Sequence, residues 1–71
     1  MNLSQATLGK EYLITEISTG DEEFNAFLFS LGCYSGEPIT VVSRQRSTCV
    51  VAIKDSRYSI DNQLAQAIQI G

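Results

Sequence analysis

Cys33 and Cys49 are the side chains of this sequence most able to do chemistry, and no histidine stands anywhere to assist them. Two thiolates together can hold a soft metal or cycle between thiol and disulfide. A structural zinc site, however, asks for four ligands in CxxC-like spacing, and two cysteines 16 positions apart fall well short of it. The simpler reading makes Cys49 a small apolar strand residue and Cys33 a turn residue just after a helix. Without histidine there is no Ser/His/Asp or Cys/His nucleophile, and the commonest general base is missing. The five glycines are scattered and none precedes a Lys-Ser or Lys-Thr pair, so no phosphate-binding loop is present. Carboxylates gather only at Asp21-Glu22-Glu23. There, negative charge beside the positive end of a helix dipole is explanation enough. The sequence therefore predicts a protein that is not an enzyme and carries neither a cofactor nor a metal site.

The basic residues lead to a similar reading. Arg44, Arg46 and Lys54 fall near one hairpin, and with Arg57 they form the one set that could meet a nucleic acid. Five Lys and Arg against eight Asp and Glu, a net charge of −3, make a basic patch hard to assemble. A solvated turn is the simpler account, and no nucleic-acid partner is predicted. A direct metal-binding role through Cys33, Cys49 and nearby carboxylates is the alternative chemistry that the sequence leaves open.

The elements that must position these residues can be read from periodicity. Seventy-one residues make one small domain, here taken as 1–71. Residues 1–9 form a polar lead with Leu3 and Leu8 as isolated anchors. Lys10 to Ile17 reads as a strand with imperfect alternation, which predicts a bulge or two partly covered faces. Thr19-Gly20-Asp21-Glu22 opens a helix, with Thr19–Glu22 as a capping box and Asp21 as a competing cap. Phe24, Phe27, Leu28 and Leu31 recur at i, i+3, i+4 and i+7, the stripe expected to plug the core. Gly32 ends the helix. Gly36 and Pro38 frame a turn, and strands follow over Pro38–Arg44, Thr48–Lys54 and Arg57–Ile60. Asp61-Asn62 then caps a single helical turn ahead of a last strand, Ala67–Ile70. Short strands, tight turns and one interposed helix predict a mainly β fold, a small SH3-like β-barrel of about five strands with one inserted α-helix; an OB-fold is the alternative.

Mean hydropathy is +0.01, high for so small a domain, which leaves apolar side chains over for a surface. Phe29 and Tyr34 lie off the helix stripe and are the candidates for it. The chain does not open on a signal-peptide pattern or contain an apolar run long enough to span a membrane, so a cytosolic protein without membrane insertion is predicted.

In its order of residues the chain resembles the FeoA family of bacterial ferrous-iron uptake. The segment Phe27-Leu28-Phe29-Ser30-Leu31-Gly32-Cys33-Tyr34-Ser35-Gly36-Glu37-Pro38-Ile39 is similar to the family's L-x-x-L-G, short turn, Gly and strand, met by Leu28, Leu31, Gly32 and Gly36. Leu8-Gly9 and the pair Ile14 and Ile17 resemble its leading strand, and Tyr58-Ser59-Ile60 with Ala65 to Ile70 its closing elements. Two departures stand out: Arg44-Gln45-Arg46-Ser47 is shorter than the family's usual loop, and Asp61 stands near a position that is often basic. The resemblance implies an SH3-like barrel. It also implies a cytosolic accessory role in ferrous iron transport, docking on the cytosolic GTPase part of an FeoB-like permease. Phe29, Cys33, Tyr34 and Glu37, at the end of the helix and in the turn after it, are the contact residues expected. Leftover apolar surface also leaves room for a weak homodimer.

Overall fold

A computed structural model describes residues 1–71. A single 3-10 turn over Leu3–Gln5 leads into β1 (Glu11–Ile17), α1 (Glu22–Ser30), β2 (Pro38–Arg44), β3 (Thr48–Ile53), β4 (Ser56–Asp61), α2 (Asn62–Ala67) and β5 (Ile68–Ile70). The five strands form one antiparallel sheet in the order β4-β3-β2-β1-β5.

Two bulges bend this sheet. One lies in β1 between Ile14 and Glu16, the other in β2 between Val41 and Ser43. An extra residue on one strand kinks it and increases its twist. β1 can thereby serve two partners, pairing with β2 through Glu11–Leu13 and with β5 from Ile14 onward. The bulge in β1 is the irregularity that its alternation predicts. The sheet curls into a partly open barrel but does not close, since β4 and β5 at its two ends do not pair.

Alternation along the strands sends Tyr12, Ile14, Ile39, Val41, Cys49, Val51, Ile53, Ile60, Ile68 and Ile70 into one core. The polar tip of Tyr12 is satisfied there: its hydroxyl oxygen accepts the Thr7 N–H at 3.0 Å. The Thr7 side chain first, and then this backbone bond, hold the phenol below its ordinary pKa.

The helix stripe is corrected. Leu28 is fully buried and Leu31 packs against the core, but Phe24 and Phe27 are exposed at 50% and 47%. α1 has only nine residues and settles on the sheet by its last turn. The interior is filled from elsewhere, by Leu3 and Ala6 of the N-terminal lead and by Ala65 of α2. The lead is thus part of the core at Leu3, whereas Leu8 is half exposed. Its end is tied to the C-terminus. Ile70 N–H donates to the Met1 carbonyl at 2.8 Å, and Asn2 bridges Gln69, so the outer side of β5 is covered.

Local signals account for the helix ends. Asp21 wins the N-cap, its Oδ1 accepting the N–H of Glu23 at 2.9 Å and of Phe24 at 3.4 Å. Thr19 instead takes the Asp21 N–H on its Oγ1, so the Thr19–Glu22 capping box is not formed. α2 is likewise capped by Asp61, which accepts the Leu64 N–H at 2.8 Å.

Candidate functional site

α1 ends in a Schellman motif, and that motif sorts the candidate residues. The Cys33 N–H donates to the Leu28 carbonyl at 2.9 Å and the Gly32 N–H to the Phe29 carbonyl at 3.0 Å. Gly32 sits at φ +94°, where a side chain is strained, and a Cβ there would meet Ile53 Cγ2 at 3.2 Å. A residue two past the end of such a helix turns inward beside the third-last helical residue. Cys33 is accordingly 1% exposed and shares the core with Leu28. Its expected place among the surface contact residues is corrected on this ground: its side chain offers a partner nothing to touch.

The turn beyond it is fastened to β1. Gly36 N–H donates to the Ile14 carbonyl at 2.7 Å, Ile14 N–H to the Glu37 carbonyl at 2.9 Å, and Ser35 Oγ to the Thr15 carbonyl at 3.1 Å. This firm base holds Tyr34 against Phe29, with ring centroids 5.0 Å apart and planes tilted by 38°, a favourable aromatic geometry. Phe29 is the most exposed large apolar residue of the chain, at 64%. Glu37 is half-buried at the foot of the same turn.

Sequence reasoning missed Lys54 as a member of this group. Its Nζ lies 5.1 Å from the Tyr34 ring centroid and donates to the Tyr34 hydroxyl at 2.7 Å. That hydrogen bond, followed by the Glu37 charge, pushes the ammonium above its ordinary pKa, so it stays charged. Lys54 has φ +55°, the one non-glycine residue in the left-handed region, at the turn between β3 and β4. Nothing in the local sequence brings positions 34 and 54 together; only the sheet register does. Beside them lies an open groove of about 470 Å³ lined by Phe29, Leu31, Tyr34, Ile53, Lys54 and Tyr58 among others. On the far side of Lys54 a second groove of about 460 Å³ includes Glu11 and Glu37.

The other candidates are placed differently. Both cysteines are buried and unpaired. Burial pushes the Cys33 thiol up to about 11, and it raises Cys49 as well, opposed by Arg44 and reinforced by Asp61. Such thiols are protonated and poorly nucleophilic at neutral pH. No three side chains of His, Cys, Asp or Glu converge where they could hold a metal ion. Arg44 turns inward: its Nη2 donates to the Leu3 and Ala6 carbonyls at 3.1 and 2.9 Å. With Lys54 held on Tyr34, the four cations do not act as one patch.

The family model of the FeoA domain matches residues 1–70. The chain belongs to the FeoA family. Solved structures agree on the fold. A crystal structure of an iron uptake regulatory protein (FeoA) superposes with a TM-score of 0.88 at 21% identity, covering 99% of this chain and 93% of that one. FeoA of Stenotrophomonas maltophilia complexed with zinc, described as a prokaryotic SH3 domain protein, gives 0.88 at 17% identity, covering 100% and 89%. A manganese-dependent transcriptional repressor gives 0.89 at 22% identity, but this chain spans only 40% of it. No curated protein matches the sequence. FeoA proteins are by name ferrous-iron-transport accessory proteins, and the SH3-like fold predicted for this one is the fold it has. No helix of this FeoA chain is long and apolar enough to cross a membrane.

Proposed function

We propose that this FeoA protein is a non-enzymatic, cytosolic accessory factor of ferrous iron uptake that docks on the cytosolic GTPase part of an FeoB-type permease. The docking surface is the end of α1 and the turn after it, with Phe29, Tyr34 and Glu37 as contacts and Lys54 beside them. The observation that carries this reading is the exposed Phe29 packed on the half-buried Tyr34, which Lys54 holds on a turn fastened to β1. Large aromatic side chains kept in place without a partner lose little freedom on binding, and aromatic anchors dominate interface energetics. Membership of the FeoA family supports the choice of partner.

The test is a titration of the isolated cytosolic part of the permease with this protein, in its GTP-analogue and GDP states. Saturable binding is expected, lowered at least about thirty-fold in a double variant Phe29→Ala and Tyr34→Ala, since even one anchor of this kind contributes ~2 kcal/mol or more. Absence of binding in both nucleotide states, with the protein folded, would sink the proposal.

A further inference from the structure

The two ends of the sheet are treated differently. β5 is covered on its outer side by the N-terminal lead. β4 is not: beyond its ladder with β3, no strand pairs with it, and no turn or side-chain hydrogen bond reaches the backbone of 56–60. A strand edge of this length, without proline, is a template for another strand. The groove of Phe29, Leu31 and Tyr34 opens beside this edge, because Ser56 and Tyr58 line it too.

Alternation along β4 makes the edge two-faced. Ser56 and Tyr58 face the groove, while Arg57 and Ser59 are exposed on the opposite side. The only charged residue lining the groove is the Lys54 cation, although the chain carries eight carboxylates. A strand laid against β4 would send alternate side chains into the aromatic groove and the intervening ones past the Arg57 guanidinium. Cross-strand neighbours of this kind lie about 4.5–5.5 Å apart at Cβ, close enough for charge to select charge.

We infer that β4 receives an extended partner segment by strand addition. Its occupant is an amphipathic strand with apolar side chains at alternate positions, for the groove, and carboxylates between them, for Arg57 on the opposite face. Backbone hydrogen bonds supply the affinity and the groove supplies the selectivity. The inference rests on the docking surface proposed above and names the chemistry that would occupy it.

The probe is a capped hexapeptide of alternating valine and glutamate, titrated into the full chain and followed by backbone amide NMR. Saturable binding is expected, with shifts confined to β4 and to 29–34. Methylating the peptide amides that face β4 should weaken it at least about ten-fold, as several ladder bonds are lost. Arg57→Glu should turn the preference toward a valine–lysine peptide. The inference is overturned by any of four results: no saturable binding at millimolar peptide, binding indifferent to methylation of either set of alternate amides, shifts centred on β5, or a protein whose β4 edge is already taken by a second copy in sedimentation. If strand addition fails while the permease's cytosolic part still binds in a Phe29- and Tyr34-dependent way, the docking proposal stands without it. If the peptide binds and the permease part does not, the docking proposal fails instead.

Discussion

Leu28 and Phe29 are chain neighbours with opposite environments, one fully buried and the other 64% exposed. Leu28→Ala should therefore cost about 2–5 kcal/mol, because it leaves a cavity in a core with little room to collapse. In a domain of this size that lowers the melting temperature by about 10 °C or more. Phe29→Ala and Tyr34→Ala should melt near the parent and lose partner binding. Thermal melts of the three variants check the division, and a Tyr34→Ala protein that unfolds as readily as Leu28→Ala would move the turn into the core. The Cys33 thiol makes a second prediction at this scale. The unfolded chain releases its proton near 9.0, whereas the buried thiol holds it to about 11. Between those values the native state binds more protons, so stability is fully present below pH 9 and declines as pH rises toward 11. The full effect is ~3 kcal/mol, two pKa units at about 1.4 each. Urea denaturation of the parent and of Cys33→Ala across pH 8 to 12 should show the parent losing that much more. Parallel curves would mean that burial does not hold the proton.

The N-terminal lead is the element whose attachment is most specific. Arg44, at the end of β2, grips its carbonyls at Leu3 and Ala6. Arg44→Met keeps most of the stem and loses the grip, which should cost about 1–3 kcal/mol for charged hydrogen bonds. Amide exchange at Leu3–Ala6 should then speed up more than elsewhere. Exchange that stays uniform would show that Leu3 alone holds the lead. Helix α1 behaves in the opposite way. Asp21→Ala removes its cap at about 1 kcal/mol. Because α1 touches the core chiefly through Leu28 and Leu31, the change should appear as faster exchange within 22–27 rather than as a large shift in melting. Each strand was legible in the sequence because β-branched residues alternate between tight turns, and the β1 bulge showed as broken alternation. The exposed Phe24 and Phe27 were not legible, since periodicity reports which residues share a face but not whether the face meets anything. Of the candidate site, Phe29 and Tyr34 were readable as aromatics off the stripe. The burial of Cys33 follows from the Schellman geometry, which turns the residue after Gly32 inward and leaves no mark in the periodicity of the helix. Lys54 was out of reach, as its pairing with Tyr34 depends on long-range register.

At the scale of the whole molecule, stability should be modest, roughly 4–11 kcal/mol for a chain of this length. The hydrogen bond from Ile70 to Met1 then has a consequence for how the molecule can be rewired. Two chain ends that already touch can be joined by a few glycines with almost no loop-closure penalty. A circular permutant joined in this way, and reopened after the exposed Gly20, should keep the sheet order and melt within a few degrees of the parent. A permutant that fails to fold would show that α1 must be threaded directly from β1. The same touching ends mean that this barrel can sit as a cassette in a loop of a larger protein, its two connections leaving side by side, without disturbing the host or itself.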